Sequence, residues 1–233
     1  MAQDPFILRR HAWLEAAHVD REIRRFLAED VGRGDVTSLR VVPKTARARA
    51  ELVARQACVV AGLPLAKAVF FVIDPDISVT DRAADGDRVE AGAVLAQVEG
   101  PAGPILTGER VALNLVQRLS GIATLTRAYV DAIAGTGACV SDTRKTTPGL
   151  RAFEKYAVHV GGGRNHRYGL YDAILIKDNH RAIAGGAAAA VMAARQADGE
   201  AMPVQVEVDA LADLPRVFDL GVEAVLLDNM TPA

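Results

Sequence analysis

Cysteine, aromatic residues and long apolar runs are all scarce in this chain. Its 233 residues include two cysteines, Cys58 and Cys139, far apart and in neither a CxxC nor a Cys/His spacing. That excludes a disulfide framework and a zinc site, and leaves two buried cytosolic thiols as the expectation. Aromatics make up 5% of the sequence and the net charge is -2. Nucleic-acid binding calls for stacking surfaces and a domain-wide basic surplus, so neither DNA nor RNA is expected as a partner. No apolar run reaches the roughly 20 residues of a membrane span, and MAQDPFILRR lacks the apolar core of a secretion signal. What remains is a cytoplasmic enzyme composition, 50% hydrophobic and 24% charged, with a small anion as the expected partner.

The charge that is present is unevenly placed. Between Arg144 and Arg181 lie eight cations (Arg144, Lys145, Arg151, Lys155, Arg164, Arg167, Lys177, Arg181) against three acids (Glu154, Asp172, Asp178). His159, His166 and His180, three of the five histidines, fall in the same segment. The cations sit beside Thr143, the Pro148-Gly149 turn and the Gly161-Gly162-Gly163 run, which bend a backbone so that side chains converge on a ligand. A solvated basic face would spread them instead. Of the three glycines, a turn needing positive φ is expected rather than a phosphate nest. Arg151, Lys155, His159 and His180 are expected to be structural.

Taken in order, a helical pattern follows Pro5, and Ile23, Phe26 and Leu27 predict a second short helix capped by Asp20 and stopped at Asp30–Asp35. Alternation over Ala46–Ala54 predicts a strand. Pro64 opens an apolar helix to about Ile73, and Val94–Val98 is a strand among glycine turns at Gly86, Gly92 and Gly100. That glycine pattern also resembles the flattened barrel of biotinyl and lipoyl carrier domains. Lysine, the residue that would carry the cofactor, is absent between Lys67 and Lys145. From Thr107 a long helix runs through Val111, Leu115, Leu119, Ile122, Leu125, Tyr129 and Ile133, with Gly135 as its stop. Beyond it, strands at Cys139–Ser141, Ala173–Ile176, Val204–Val208 and Ala224–Leu227 alternate with helices at about Gly186–Ala197 and from Pro215. Such alternation predicts a parallel sheet with its chemistry at the carboxyl ends of the strands. Thr143-Arg144-Lys145, Lys177, Glu207 and Asp228 all fall at such ends.

The stretches EDVGRGDVTS (Glu29–Ser38), TGERVALNLVQRLSGIAT (Thr107–Thr124), SDTRKTTPGLRAFEKYAV (Ser141–Val158), GGGRNHRYGLYDAILIKDNH (Gly161–His180), VEVD (Val206–Asp209) and LLDNM (Leu226–Met230) resemble the nicotinate-nucleotide pyrophosphorylase (carboxylating), or quinolinate phosphoribosyltransferase, family. The resemblance implies an α/β protein with an N-terminal α+β sandwich domain over residues 1–110. An incomplete α/β barrel of about six strands over 111–233 would follow, against eight in a closed barrel. It also implies that family members continue past Ala233 for roughly two βα units of about 30 residues each.

The implied reaction joins quinolinate to phosphoribosyl pyrophosphate with Mg²⁺, releasing pyrophosphate and CO₂. By this resemblance Arg144 and Arg167 grip the quinolinate carboxylates, flanked by His166 and Lys177, because a planar guanidinium fork suits a carboxylate. Lys145 and Thr143 face the pyrophosphate. Glu207 and Asp228 hold the ribose and Mg²⁺-bound water, favouring positive charge at the ribose C1. Arg110, in the turn opening the long helix, reaches into a partner subunit's site, which implies a homodimer or higher even assembly with shared sites. A ModD-type relative acting on a different base is the alternative.

Overall fold

The computed structural model describes residues 15–196 and 202–231. The helical pattern after Pro5 lies outside them. Backbone packing divides the chain into two units, with the division after Asn165.

In the first unit, α1 (Ala16–Val31) and α2 (Ser38–Val41) precede β1 (Arg47–Val53), β2 (Cys58–Val59), α3 (Leu63–Ile73), β3 (Ser78–Asp81), β4 (Arg88–Val89) and β5 (Val94–Pro101). The long α4 (Ala102–Ala132) and α5 (Arg151–Val160) complete it. β5 lies between β1 and β3 in an antiparallel sheet, and β2 pairs with β4 in a separate ribbon. Helices and sheet share a core built on Ile23 and Leu27 of α1, Val69 and Phe70 of α3, Leu115 and Leu119 of α4, and Phe153 and Ala157 of α5. This is the α+β arrangement expected of the N-terminal half. The expected boundary at 110/111 falls inside α4, and α5 packs in this same core.

Several local expectations are corrected. Ile23 and Leu27 belong to one 16-residue helix, and Asp20 lies within it, accepting a hydrogen bond from Arg24 Nε at 2.9 Å instead of capping. α4 begins at Ala102, directly after Pro101, so Arg110 sits well inside the helix and not in its opening turn. Its buried seam runs through Leu119, Ala123 and Thr126, leaving Leu125 and Tyr129 exposed. The cause is the glycine run after α5. A Cβ on Gly161 would lie 2.6 Å from the Ala123 carbonyl and 2.7 Å from Thr126 Cβ, and one on Gly163 would lie 2.7 Å from Val158 Cγ1. Only Gly162 needs a positive φ, at 93°; the other two are required for close approach. Cys139–Ser141 forms no strand, only a single parallel bridge from Ser141 to Arg164. Cys139 is exposed and Cys58 half-buried, so the buried-thiol expectation fails for Cys139.

The second unit alternates β6 (Ile174–Ile176), α6 (Asp178–Ala184), α7 (Ala187–Gln196), β7 (Val204–Val208), a 3₁₀ turn at Leu211–Asp213, α8 (Leu214–Phe218) and β8 (Ala224–Leu227). The three strands are parallel with β7 in the middle, in a register that aligns Ile176 with Val206 and Val206 with Val225. Val204, Val206 and Val208 of β7 pack with Ile176, Val191 and Val217 in a core of their own. A central strand buried on both faces is what helical crossovers produce.

Candidate active site

Residues 142–147 connect the Ser141 bridge to α5 and carry three of the expected site residues. Thr143 and Lys145 are exposed and Arg144 half-buried. Thr143 Oγ1 accepts the Lys145 N–H at 3.0 Å, and the Thr146 N–H donates to the Arg144 carbonyl at 2.9 Å, a pair of local bonds that sets the turn. Arg144 Nε is buried and without a hydrogen-bond partner among the described residues. A buried N–H donor in that state carries a desolvation cost until an acceptor reaches it.

Buried charges lie directly behind this loop. Lys155 is wholly buried and its Nζ meets Asp142 Oδ1 at 2.5 Å, while Asn165 Nδ2 donates to Asp142 Oδ2 and to the Lys155 carbonyl, each at 2.7 Å. Glu154, also buried, accepts the Thr147 N–H at 3.0 Å and a guanidinium hydrogen bond from Arg118 Nε at 3.0 Å. Burial works to raise the Glu154 pKa, but the hydrogen bonds from Arg118 and Thr147 outweigh it and hold the carboxyl below its ordinary value. Arg151 Nε donates to Thr146 Oγ1 at 3.0 Å. Arg118 and Pro148 line a cleft of about 430 Å³ together with Arg25 and Asn114.

In the second unit the organising strand is β7. Its sequence Val-Gln-Val-Glu-Val puts the valines on one face and Gln205 and Glu207 on the other. Gln205 Oε1 lies 2.9 Å from His166 Nε2, a contact that ties the imidazole to β7. Glu207 meets Lys177 Nζ at 3.1 Å. Lys177 follows β6, and its N–H donates to His180 Nδ1 at 2.9 Å, which makes His180 a structural residue of the α6 start. Asp228 follows β8; its N–H donates to the Val208 carbonyl at 2.9 Å, and its Oδ2 accepts from Asn229 Nδ2 at 2.9 Å. Asn229 adopts φ 53°, a conformation asparagine tolerates better than most residues. Arg167 is buried, with Nη1 donating to the Ala173 carbonyl at 3.0 Å.

The expected site residues therefore fall into two groups: Arg110, Thr143, Arg144 and Lys145 in the first unit, and His166, Arg167, Lys177, Glu207 and Asp228 in the second. Contact is direct for Lys177 with Glu207, and β7 side chains hold both His166 and Lys177. Asp142, Glu154, Arg118 and Gln205 were not anticipated. Gln205 left a readable signal, a second polar residue in step with Glu207 on an otherwise apolar strand. Arg118 left none, since nothing in the sequence sets it apart from Arg127 on the same long helix.

Residues 35–120 match the family model described as quinolinate phosphoribosyl transferase, N-terminal domain, and residues 122–233 match that for its C-terminal domain. The chain is 43% identical over 210 residues to the probable carboxylating nicotinate-nucleotide pyrophosphorylase of Bacillus subtilis, covering 90% of this chain and 72% of the relative. It is 47% identical over 211 residues to the carboxylating nicotinate-nucleotide pyrophosphorylase of Mycobacterium leprae, covering 89% and 74%. Among solved structures, NadC from Streptococcus pyogenes superposes with a TM-score of 0.90 at 41% identity, covering 94% of this chain and 77% of that one. The nicotinate-nucleotide pyrophosphorylase from Francisella tularensis gives 0.87 at 37% identity, covering 98% and 79%.

Proposed function

Because the chain belongs to the quinolinate phosphoribosyl transferase family, we propose that it transfers phosphoribosyl from phosphoribosyl pyrophosphate to quinolinate with decarboxylation. The products are nicotinate mononucleotide, pyrophosphate and CO₂. The geometric observation that carries the reading is Arg144, whose buried Nε lacks a partner among the described residues and suits an incoming carboxylate. Quinolinate brings two adjacent carboxylates, and Arg144, Arg167, His166 and Lys177 are the groups assigned to them. Lys145 and Thr143 are assigned to the pyrophosphate.

In the transfer step the quinolinate ring nitrogen forms a bond to the ribose C1 as the bond from C1 to pyrophosphate oxygen breaks. C1 gains oxocarbenium character, and the carboxylates of Glu207 and Asp228 favour positive charge there. Glu207 lies 3.1 Å from Lys177, and Asp228 accepts a hydrogen bond from Asn229. The carboxylate beside the ring nitrogen then leaves as CO₂. Its bonding pair stays on the ring carbon, stabilised by the adjacent pyridinium nitrogen, until that carbon takes a proton.

Among the described residues no cluster of three or more His, Cys, Asp or Glu could hold a metal by itself. Carboxylate oxygens suit Mg²⁺, and Glu207 and Asp228 are the residues that would hold an ion arriving with the co-substrate. When bound, the ion neutralises charge on the departing pyrophosphate. Shared sites in a dimer, with Arg110 given to the partner, and a cytoplasmic location belong to the same proposal; no described helix is long and apolar enough to cross a membrane. The test is to mix the protein with quinolinate, phosphoribosyl pyrophosphate and Mg²⁺ and to measure nicotinate mononucleotide and CO₂. Turnover of another base with quinolinate inert would favour the ModD-type alternative.

A further inference from the structure

The loop that carries Thr143, Arg144 and Lys145 is tied to one helix at both ends. At its start, the wholly buried Lys155 holds Asp142, whose other oxygen takes the Asn165 amide. At its far end, Glu154 accepts the Thr147 N–H, and Arg118 from α4 bonds both Glu154 and the Thr147 hydroxyl, the latter at 2.5 Å. Between them, Arg151 holds the Thr146 hydroxyl. Glu154 and Lys155 are neighbours on α5 and so project roughly 100° apart around its axis, which lets one residue serve each end of the loop.

We propose that Arg118, Glu154 and the Lys155–Asp142 pair are positioning residues, a two-point clamp that sets the backbone of Thr143–Lys145 so that the Arg144 guanidinium meets a dicarboxylate in a fixed orientation. The proposal rests on the reading of Arg144 and Lys145 as substrate-binding groups. Five polar contacts converge on a six-residue segment that has no ladder or helix of its own. Fold stability alone does not require Thr147 to be held by both its N–H and its hydroxyl. A site that orders a two-pronged anion does, because an ångström of play in the loop spoils simultaneous contact with both carboxylates. Glu154 divides its oxygens accordingly, one to the loop backbone and one to Arg118. The hydrogen bonds from Arg118 and Thr147 also hold its carboxyl below the ordinary glutamate range.

Amide hydrogen exchange and quinolinate calorimetry on Glu154→Ala and Glu154→Gln test the clamp. Glu154→Ala should speed exchange of the Thr146 and Thr147 amides roughly 10-fold or more, leave the α3 and β5 amides unchanged, and weaken quinolinate binding by a comparable factor. Glu154→Gln, whose amide oxygen still accepts from Thr147, should recover part of both. Should Glu154→Ala fail to fold, Arg118→Gln on the exposed side of the clamp carries the same test. Loop exchange that stays at the wild-type rate overturns the clamp. So does a loosened loop with unchanged quinolinate affinity, since positioning would then be irrelevant to binding. Wild-type protein inert to quinolinate would sink the functional reading alone, with the exchange arm still deciding whether the loop is clamped.

Discussion

Replacing Lys155 by methionine puts the buried charge behind the loop to the test. Lys155 is 0% exposed and the Asp142 side chain 7%, with 2.5 Å between Nζ and Oδ1. Methionine fills nearly the same volume, so the substitution removes the charge while opening little cavity. Asp142 keeps the Asn165 amide at 2.7 Å but loses the ammonium that meets it in the wild-type protein, so a buried carboxylate gives up a charged partner. Removing one partner of a buried pair costs about 3 to 5 kcal/mol. For a chain of this size each kcal/mol lowers the melting temperature by about 2 to 4 °C, so a fall of roughly 6 to 20 °C is expected. Adding Asp142→Asn should recover part of that loss, because a neutral amide costs less to bury than a carboxylate that has lost its ammonium partner. The assay is denaturant unfolding of wild type, both single variants and the double variant. A Lys155→Met protein within about 1 kcal/mol of wild type, or a double variant no better than that single one, would refute the argument that this pair is electrostatically coupled.

Four further outcomes are expected. Nicotinate, lacking one carboxylate, should bind roughly 10- to 150-fold more weakly than quinolinate, as judged by competition calorimetry, because a charge-assisted contact is lost. Glu207→Gln and Asp228→Asn should lower kcat far more than they weaken quinolinate binding, whereas Arg144→Ala should weaken binding; steady-state kinetics beside calorimetry separates these. Glu154 has its folded pKa below the unfolded value, so its contribution to stability is present above the ordinary glutamate range and lost as pH falls through the folded pKa. A melting series should therefore show an acid-side loss of stability that is smaller in Glu154→Gln. Finally, Arg110→Ala and Lys145→Ala proteins should each be nearly inactive, yet regain activity when refolded together, since in a two-fold dimer with exchanged arginines one mixed site carries neither lesion. Proven heterodimers without that gain would place Arg110 in its own chain's site.

The parallel strands were legible because β6, β7 and β8 are apolar runs bounded by turn residues, and their polar ends announced Lys177, Glu207 and Asp228. α5 was hidden by the same physics that makes it important. Ala152, Phe153 and Ala157 are buried, but so are Glu154 and Lys155. Charged residues at buried positions break the apolar period by which helices are recognised. α6 was hidden by its length: seven residues with no buried side chain carry no seam to detect. Cys139–Ser141 misled in the opposite direction, reading as a strand where one bridge is all the backbone forms.

Much of the charge in the cationic segment is committed to contacts within the protein, which its composition does not reveal, because a sequence counts charges and not their partners. Lys155 is committed to Asp142, and Arg181 lies 3.4 Å from Asp209 and 3.8 Å from Asp213. Arg151 holds a threonine hydroxyl, while Arg167, one of the groups assigned to the substrate, gives one guanidinium N–H to a backbone carbonyl. A cation buried beside its counter-charge cannot turn to a ligand without stranding that counter-charge in the protein interior. Lys177 differs, since it is nearly half exposed and its partner Glu207 is itself assigned to the substrate. The electrostatic attraction of this segment for an anion therefore comes from fewer residues than its composition suggests. The remaining charge is committed within the protein, so under the proposed clamp the loop between Ser141 and α5, rather than the eight cations as a group, would decide what the site can bind.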